Sequence, residues 1–252
     1  MNLELKNKTV IVVGGSKGIG LSISKAFLKE NAIVHIISRN KNSEIDKLIH
    51  DTEKNVFHYC CDVVNLKEFI RIKNEIVDIS SNIDVVISNV GNGKGSQNPI
   101  PSKKEWDFLW QTNFKSSFNS AKVFIPELKK SNGNLIFVSS IAGIQSIGAP
   151  IAYSTSKSAL ISFSKDLSIK LAPKIRVNVI APGNIFFEDG SWDKKLKDNP
   201  EQVKKMLLEK VPLNRFGKPE EIADLILFIS SARAQFITGS CFVIDGGQTN
   251  NL

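Results

Sequence analysis

The sequence predicts an α/β fold: a doubly wound, seven-stranded parallel sheet with helices on both faces, built as a single domain over residues 1–252. Three observations point there. Short β-branched runs alternate with stretches of helical apolar spacing, the pattern left by parallel strands joined through right-handed helical crossovers. The first run ends in a glycine-rich turn that opens a helix. No internal repeat, low-complexity stretch or linker divides the chain.

Strands covered on both faces are expected as continuous apolar runs, and seven are present. Residues 9–13 form the first, followed by a helix over 17–30 with Ile19, Ile23 and Phe27 at helical spacing. Residues 33–37 are the second strand, 43–51 a short helix and 56–60 the third strand. A helix over 65–80 puts Leu66, Phe69, Ile70 and Ile76 on one face, and 84–88 is the fourth strand. One long helix is expected over 102–130, bent near Pro126 because proline lacks an N–H and crowds the preceding turn. The fifth strand is 135–139, a helix covers 151–171, and the sixth strand is 175–180. A polar stretch with short helices spans 182–219, and a helix over 220–231 and a strand over 240–244 follow. Segment 184–216 is the one long excursion. Loops at the carboxyl ends of parallel strands are where ligands bind, so it is read as the cover of a substrate site.

Composition excludes several classes. Hydrophobic residues at 42% and charged residues at 23% are those of a globular chain rather than a disordered one. The net charge of +8 comes from lysines spread along the sequence, with no basic run interleaved with aromatics, so nucleic acid is not an expected partner. No apolar run reaches the ~18 residues of a membrane span, and the first residues carry charges where a signal peptide needs an apolar core. Three cysteines, two of them adjacent (Cys60, Cys61), make a poor disulfide framework and point to a reducing cytoplasm. No Cys/His cluster has zinc spacing, so no metal is expected. His35, His50 and His58 are paired with no nucleophile in the pattern and are read as structural.

The turn Gly14-Gly15-Ser16-Lys17-Gly18-Ile19-Gly20 follows a strand and opens a helix. Glycines there let backbone approach a pyrophosphate, and the helix N-terminus offers unpaired N–H groups to it. A glycine run alone often marks an ordinary turn; its place between strand and helix is what favours a dinucleotide cradle. At the end of the second strand an NAD site would carry an acid, whereas this chain has Ser38-Arg39-Asn40. Arg39 can fork onto a 2′-phosphate and Lys17 adds a second cation, so NADP(H) is the expected cofactor. Plain surface cations are the alternative, less favoured reading of both.

Tyr153 and Lys157 stand four residues apart, on one helix face, with Ser140 thirteen positions upstream. A Tyr/Lys pair on a helix is most often a packed ring beside a surface cation, and Ser139-Ser140 could simply end a strand. Set beside a dinucleotide cradle, the same residues can move a proton onto a carbonyl oxygen. A free phenol has a pKa of about 10. The Lys157 ammonium is expected to lower that of Tyr153 toward the working pH.

These motifs resemble the short-chain dehydrogenase/reductase family, from Lys8 to Gly247, and in particular its 3-oxoacyl-carrier-protein reductase-like and tropinone-reductase-like members. The resemblance implies the doubly wound (Rossmann) fold and a cofactor site built from Gly14, Ser16, Lys17, Gly18, Ile19, Gly20, Ser38 and Arg39. It adds Asp62 and Val63 in C-D-V-V, Asn89 and Gly91 in Ser88-Asn89-Val90-Gly91, Pro182, Gly183 and Ile185 after the sixth strand, and Tyr153 and Lys157. It implies a catalytic tetrad of Asn113, Ser140, Tyr153 and Lys157. Tyr153 would be general acid, Ser140 would hydrogen-bond the substrate oxygen, Lys157 would hold the nicotinamide ribose, and Asn113 would orient a water toward Lys157. The stretches 215–223 (R-F-G-K-P-E-E-I-A) and 236–247 resemble the C-terminal signature of the same branch. Four positions depart from the family pattern: Val13 for a threonine, Ser88 and Val90 in the N-N-A-G stretch, and Phe187 where many members carry a threonine.

The substrate is expected to be a 3-oxoacyl thioester, with a sugar or other small ketone or secondary alcohol as the alternative and acyl-carrier protein as a candidate partner. The excursion offers Phe186, Phe187, Trp192, Met206, Leu207 and Leu208 as apolar lining. A non-catalytic NADP-binding regulator would have lost a tetrad member, and none is missing. A homotetramer is implied by the resemblance, with Trp106, Phe108 and Trp110 as core or subunit contacts.

Overall fold

All seven apolar runs become strands of one sheet in the computed structural model, which describes residues 1–52 and 55–250. They are β1 (Thr9–Val13), β2 (Ile33–Ser38), β3 (Val56–Cys60), β4 (Val85–Ser88), β5 (Asn134–Val138), β6 (Arg176–Pro182) and β7 (Cys241–Ile244). Every pairing is parallel, in the order β3-β2-β1-β4-β5-β6-β7. The chain moves outward from β1 through β2 to β3, then crosses back to β4 on the other side of β1. That reversal places a crevice at the carboxyl ends of β1 and β4, where open α/β sheets bind ligands.

Successive residues of β1 serve opposite faces. Val10 and Val12 pack with Ile23 and Phe27 of α1 (Gly18–Lys29), Ile45 of α2 (Ser43–Thr52) and Ile222 and Ile226 further along the chain. Ile11 and Val13 pack with Phe69 and Ile76 of α3 (Leu66–Ile79) and with Phe124, Leu135, Phe137 and Leu160. These two apolar layers hold the strand ends, and so the crevice, in place.

The expected single helix over 102–130 is broken, and not at Pro126. It is α4 (Lys103–Trp110), a π-helical turn (Gln111–Lys115) and α5 (Ser116–Ser131), with Pro126 inside α5. The interruption centres on Asn113, whose side-chain amide donates to the Leu109 carbonyl at 2.9 Å. An inserted residue of this kind re-aims a side chain, and π turns recur at functional sites. The remaining helices are α6 (Ile151–Leu171), α7 (Ser191–Asp198), α8 (Pro200–Lys210) and α9 (Pro219–Ser230). Helices α7 and α8 lie within the excursion. Among the described residues no helix is long and apolar enough to cross a membrane, and no group of three His, Cys, Asp or Glu is placed to hold a metal ion.

Candidate active site

The glycine turn is built by close approach. Gly14 has φ +82°, its N–H donates to the Ile37 carbonyl at 2.7 Å, and its carbonyl accepts from Asn89 Nδ2 at 3.0 Å. A Cβ on Gly20 would lie 2.0 Å from that same carbonyl, so only glycine lets α1 sit this close to β1. Val13, fully buried, has no hydroxyl to brace the turn, and Asn89 braces it instead. Helix α1 begins at Gly18 with no side-chain cap and no acid in its first turn. Its N-terminal N–H groups and dipole therefore face the crevice uncompensated, the arrangement that receives a pyrophosphate. Ser16, Lys17 and Ile19 lie on this turn as the sequence placed them.

Two clasps bring the β2–α2 loop beside the cradle. Asn42 Nδ2 donates to the Ser16 carbonyl at 2.9 Å, while Asn42 Oδ1 caps α2 through the Ile45 N–H at 3.0 Å. Ser38 Oγ donates to the Asn40 carbonyl at 2.9 Å and meets His58 Nε2 at 2.8 Å. The hydroxyl's one proton is committed to Asn40, so His58 must donate from Nε2. Burial, with a smaller push from Lys41, lowers the His58 pKa, which keeps the ring neutral at pH 7. Nearby Lys25 and Lys41 pair with Glu44 and Asp46. Lys17 and Arg39 pair with no carboxylate among the described residues, which leaves both able to receive a phosphate. The Asp62 carboxylate turns the chain by accepting from the Val64 N–H at 3.1 Å, and the buried Val63 is tied through its carbonyl to Asn119 Nδ2 at 2.8 Å.

Asn113, Ser140, Tyr153 and Lys157 converge beside the crevice. Ser140, just past the end of β5, stands beside the Tyr153 phenol, and its hydroxyl accepts from the Ala142 N–H at 3.1 Å. Lys157 is 3% exposed, its Nζ donates to the Val138 carbonyl at 2.9 Å, and it sits 5.9 Å from the centre of the Tyr153 ring. The positions a Cβ would take on Gly91 and Gly93 show what surrounds them. The first is 3.2 Å from Lys157 Nζ and 3.3 Å from Asn113 Oδ1, and the second is 3.7 Å from Tyr153 Cζ. Asn113 pins the loop after β4 by accepting from the Asn92 N–H at 2.9 Å and donating to the Asn92 carbonyl at 2.9 Å. Ser139 Oγ donates to the Lys157 carbonyl, and a Cβ on Gly143 would lie 2.7 Å from the Lys157 backbone, so α6 is docked tightly on the end of β5.

One electrostatic expectation is overturned. Lys157 does not acidify Tyr153 here: burial raises the phenol pKa above its ordinary value, and the neighbouring Ser140 hydroxyl offsets only part of that. Burial likewise lowers the Lys157 ammonium from 10.5 to about 8. Desolvation disfavours both charged forms and decides the direction of both shifts. Tyr153 is consequently a protonated donor at neutral pH.

Gly183 closes on the C-terminal turn, its N–H donating to the Ile244 carbonyl at 3.0 Å, and a Cβ there would strike Asp245 Cα at 2.7 Å. Beyond Pro182, Ile185 is buried and bridges Gly217. Phe187 lies against Gly18, whose Cβ position is 2.8 Å from the ring. The apolar residues of the excursion separate: Phe186, Trp192 and Phe216 pack together, beside a cavity of about 270 Å³ lined by Phe186, Leu196, Phe216, Gly217 and Lys218, whereas Leu208 is 68% exposed. Asn42 and Asn119 were not singled out from sequence, and His58 was read there only as a structural histidine. Only Asn42 left a signal, as an asparagine standing before a helix.

Residues 13–249 match the family profile described as Enoyl-(Acyl carrier protein) reductase. The chain is 37% identical over 249 residues to a 3-oxoacyl-[acyl-carrier-protein] reductase of Chlamydia trachomatis, covering 96% of this chain and 98% of that protein. It is 32% identical to a tropinone reductase homolog of Arabidopsis thaliana, covering 98% and 93%. Among solved structures, L-sorbose reductase from Gluconobacter frateurii, complexed with NADPH and L-sorbose, superposes with a TM-score of 0.91 at 28% identity over 100% of both chains. A Pseudomonas aeruginosa RhlG/NADP complex superposes at 0.88 with 28% identity over 98% of each.

Proposed function

The chain belongs to the short-chain dehydrogenase/reductase family, and from that premise we propose that it is an NADP(H)-dependent reductase of a carbonyl, with a 3-oxoacyl thioester as substrate. The observation that carries this is the convergence of Tyr153, Ser140, Lys157 and Asn113 on the loop after β4, with Tyr153 against Gly93 and Lys157 and Asn113 against Gly91. Gly14, Ser16, Gly18, Ile19 and Gly20 would hold the pyrophosphate, Lys17, Ser38 and Arg39 the 2′-phosphate, and Asp62, Val63, Asn89 and Gly91 the adenosine and ribose. Pro182, Gly183 and Ile185 would line the nicotinamide, which when bound supplies hydride to the carbonyl carbon.

Tyr153 gives its proton to the carbonyl oxygen, and a phenol raised by burial is in the donor state that reduction needs. Ser140 donates to the same oxygen and stabilises the charge that develops there. Lys157, buried and held by the Val138 carbonyl, would hold the nicotinamide ribose and favour the phenolate once the proton has left. Asn113 fixes the backbone at Asn92 and so the wall against which Lys157 lies.

Relatives named for 3-oxoacyl-carrier-protein reduction favour the thioester, and the L-sorbose reductase neighbour favours a sugar or small ketone as the second reading. Residues 1–252 form one domain in this reading, with 184–216 covering the substrate. Acyl-carrier protein is a possible partner for the basic chain. Exposed Trp106, Phe108 and Ile151 on α4 and α6, with Cys241 and Val243 facing outward on β7, support a homotetramer. NADPH consumption across a carbonyl panel that includes acetoacetyl thioester and L-sorbose, with NADH in parallel, tests the proposal. Turnover of the thioester with NADPH is expected; no turnover of any carbonyl, or equal rates with NADH, would reject it.

A further inference from the structure

We propose that the Phe187 ring occupies the pyrophosphate seat, so that NADP(H) must displace it, and that Phe187 thereby sets cofactor affinity. This rests on the cofactor reading above. The glycines of such a turn divide the work: one makes the bend, one packs helix on strand, and one leaves its face open so that phosphate can approach the backbone. Gly14 makes the bend, and Gly20 packs against Gly14 and Asn89. Gly18 is left as the open position, and its open face is covered. A Cβ built there would lie 2.8 Å from Phe187 Cε2 and Cζ and 2.9 Å from Cε1. Aromatic carbon thus stands where an anion must meet the first N–H groups of α1.

The ring is held there by its own turn. The Gly190 N–H donates to the Phe187 carbonyl at 3.1 Å, and a Cβ on Gly190 would lie 2.8 Å from that oxygen and 3.0 Å from the ring. Asp189 sits at φ +58°, its N–H bound by Asp193 Oδ2 at 3.0 Å, and the buried Asp193 pairs with Lys197 at 2.7 Å. These bonds tie the Phe187 backbone to the start of α7, so a displacement that takes the backbone with the ring also moves Trp192. A threonine, the residue many family members carry here, would leave Gly18 uncovered. Cofactor binding in this chain is therefore coupled to a shift of the segment over the substrate site.

Calorimetric titration of wild type, Phe187→Ala and Phe187→Thr with NADP⁺, together with Trp192 emission, provides the test. Removing a half-buried ring that must be displaced should tighten binding by roughly three- to tenfold in both variants. Wild type should show a Trp192 change on binding that shrinks in Phe187→Ala. If wild type binds NADP⁺ and both variants bind equally or more weakly, the ring is not in the seat and the inference fails while the cofactor reading stands. If wild type binds no NADP⁺, both fail.

Discussion

Lys157 should be a residue that the folded protein carries at a cost. Burial lowers its ammonium from 10.5 to about 8. At about 1.36 kcal/mol for each pH unit, keeping that charge inside costs the folded state roughly 3 kcal/mol. The sign follows from proton binding. Below pH 8 both folded and unfolded chains hold the proton and the full cost applies. Between pH 8 and 10.5 the unfolded chain holds it and the folded chain has released it, so stability rises with pH; above 10.5 the cost is gone. Lys157→Met removes the charge and keeps much of the volume. Subtracting about 1 kcal/mol for the lost bond to the Val138 carbonyl, the unliganded variant should be more stable than wild type at pH 7 by about 2 kcal/mol. That corresponds to roughly 4–8 °C in Tm for a chain this size, with activity lost. Thermal and urea unfolding at pH 7 and pH 10 measure it, and the advantage should shrink at the higher pH. A variant less stable than wild type at pH 7, or an advantage indifferent to pH, would refute the reasoning.

Three further outcomes are expected. Arg39→Ala should weaken NADPH binding about 10- to 100-fold, the worth of charged hydrogen bonds to phosphate, while leaving NADH binding unchanged in the same titration. Asn113→Leu should destabilise the protein by roughly 2–4 kcal/mol in urea unfolding, because it strands the Asn92 N–H, the Asn92 carbonyl and the Leu109 carbonyl. The Arg215 guanidinium, bonded at 2.6 and 2.9 Å, holds the Glu221 carboxyl at about 2 instead of 4.5. A carboxyl depressed in the folded state contributes stability above pH 4.5 and loses it as pH falls toward 2. The pair is partly exposed, so Glu221→Gln should cost only about 1 kcal/mol at pH 6 and should flatten the acid limb of the stability curve.

The strands were legible because a sheet covered on both faces leaves runs such as Val10–Val13 and Ile33–Ile37, which alternation would have obscured. The spacing of Tyr153 and Lys157 was legible because a helix converts four residues into one face. The break at Asn113 was not. An inserted residue leaves the apolar spacing nearly intact, and Pro126, the louder signal, is accommodated inside α5. The direction of the Tyr153 pKa was misjudged because charge proximity can be read from spacing while desolvation depends on what tertiary packing brings around the pair. Of the departures, Ser88 becomes intelligible only in three dimensions, where it bonds Ser117 and Ser120 of α5 at 3.1 and 3.3 Å. The clasps from His58 and Asn119 likewise join segments whose meeting no local pattern announces.

Deuteride transfer tests the assigned chemistry most directly. Wild type and Tyr153→Phe are incubated with NADPH deuterated at the reactive position and acetoacetyl thioester, and the product is examined by mass spectrometry. Wild type should yield the alcohol with deuterium on the carbinol carbon, and Tyr153→Phe should yield essentially none while still binding NADPH. Equal deuterium transfer by the two proteins would contradict Tyr153 as the proton donor.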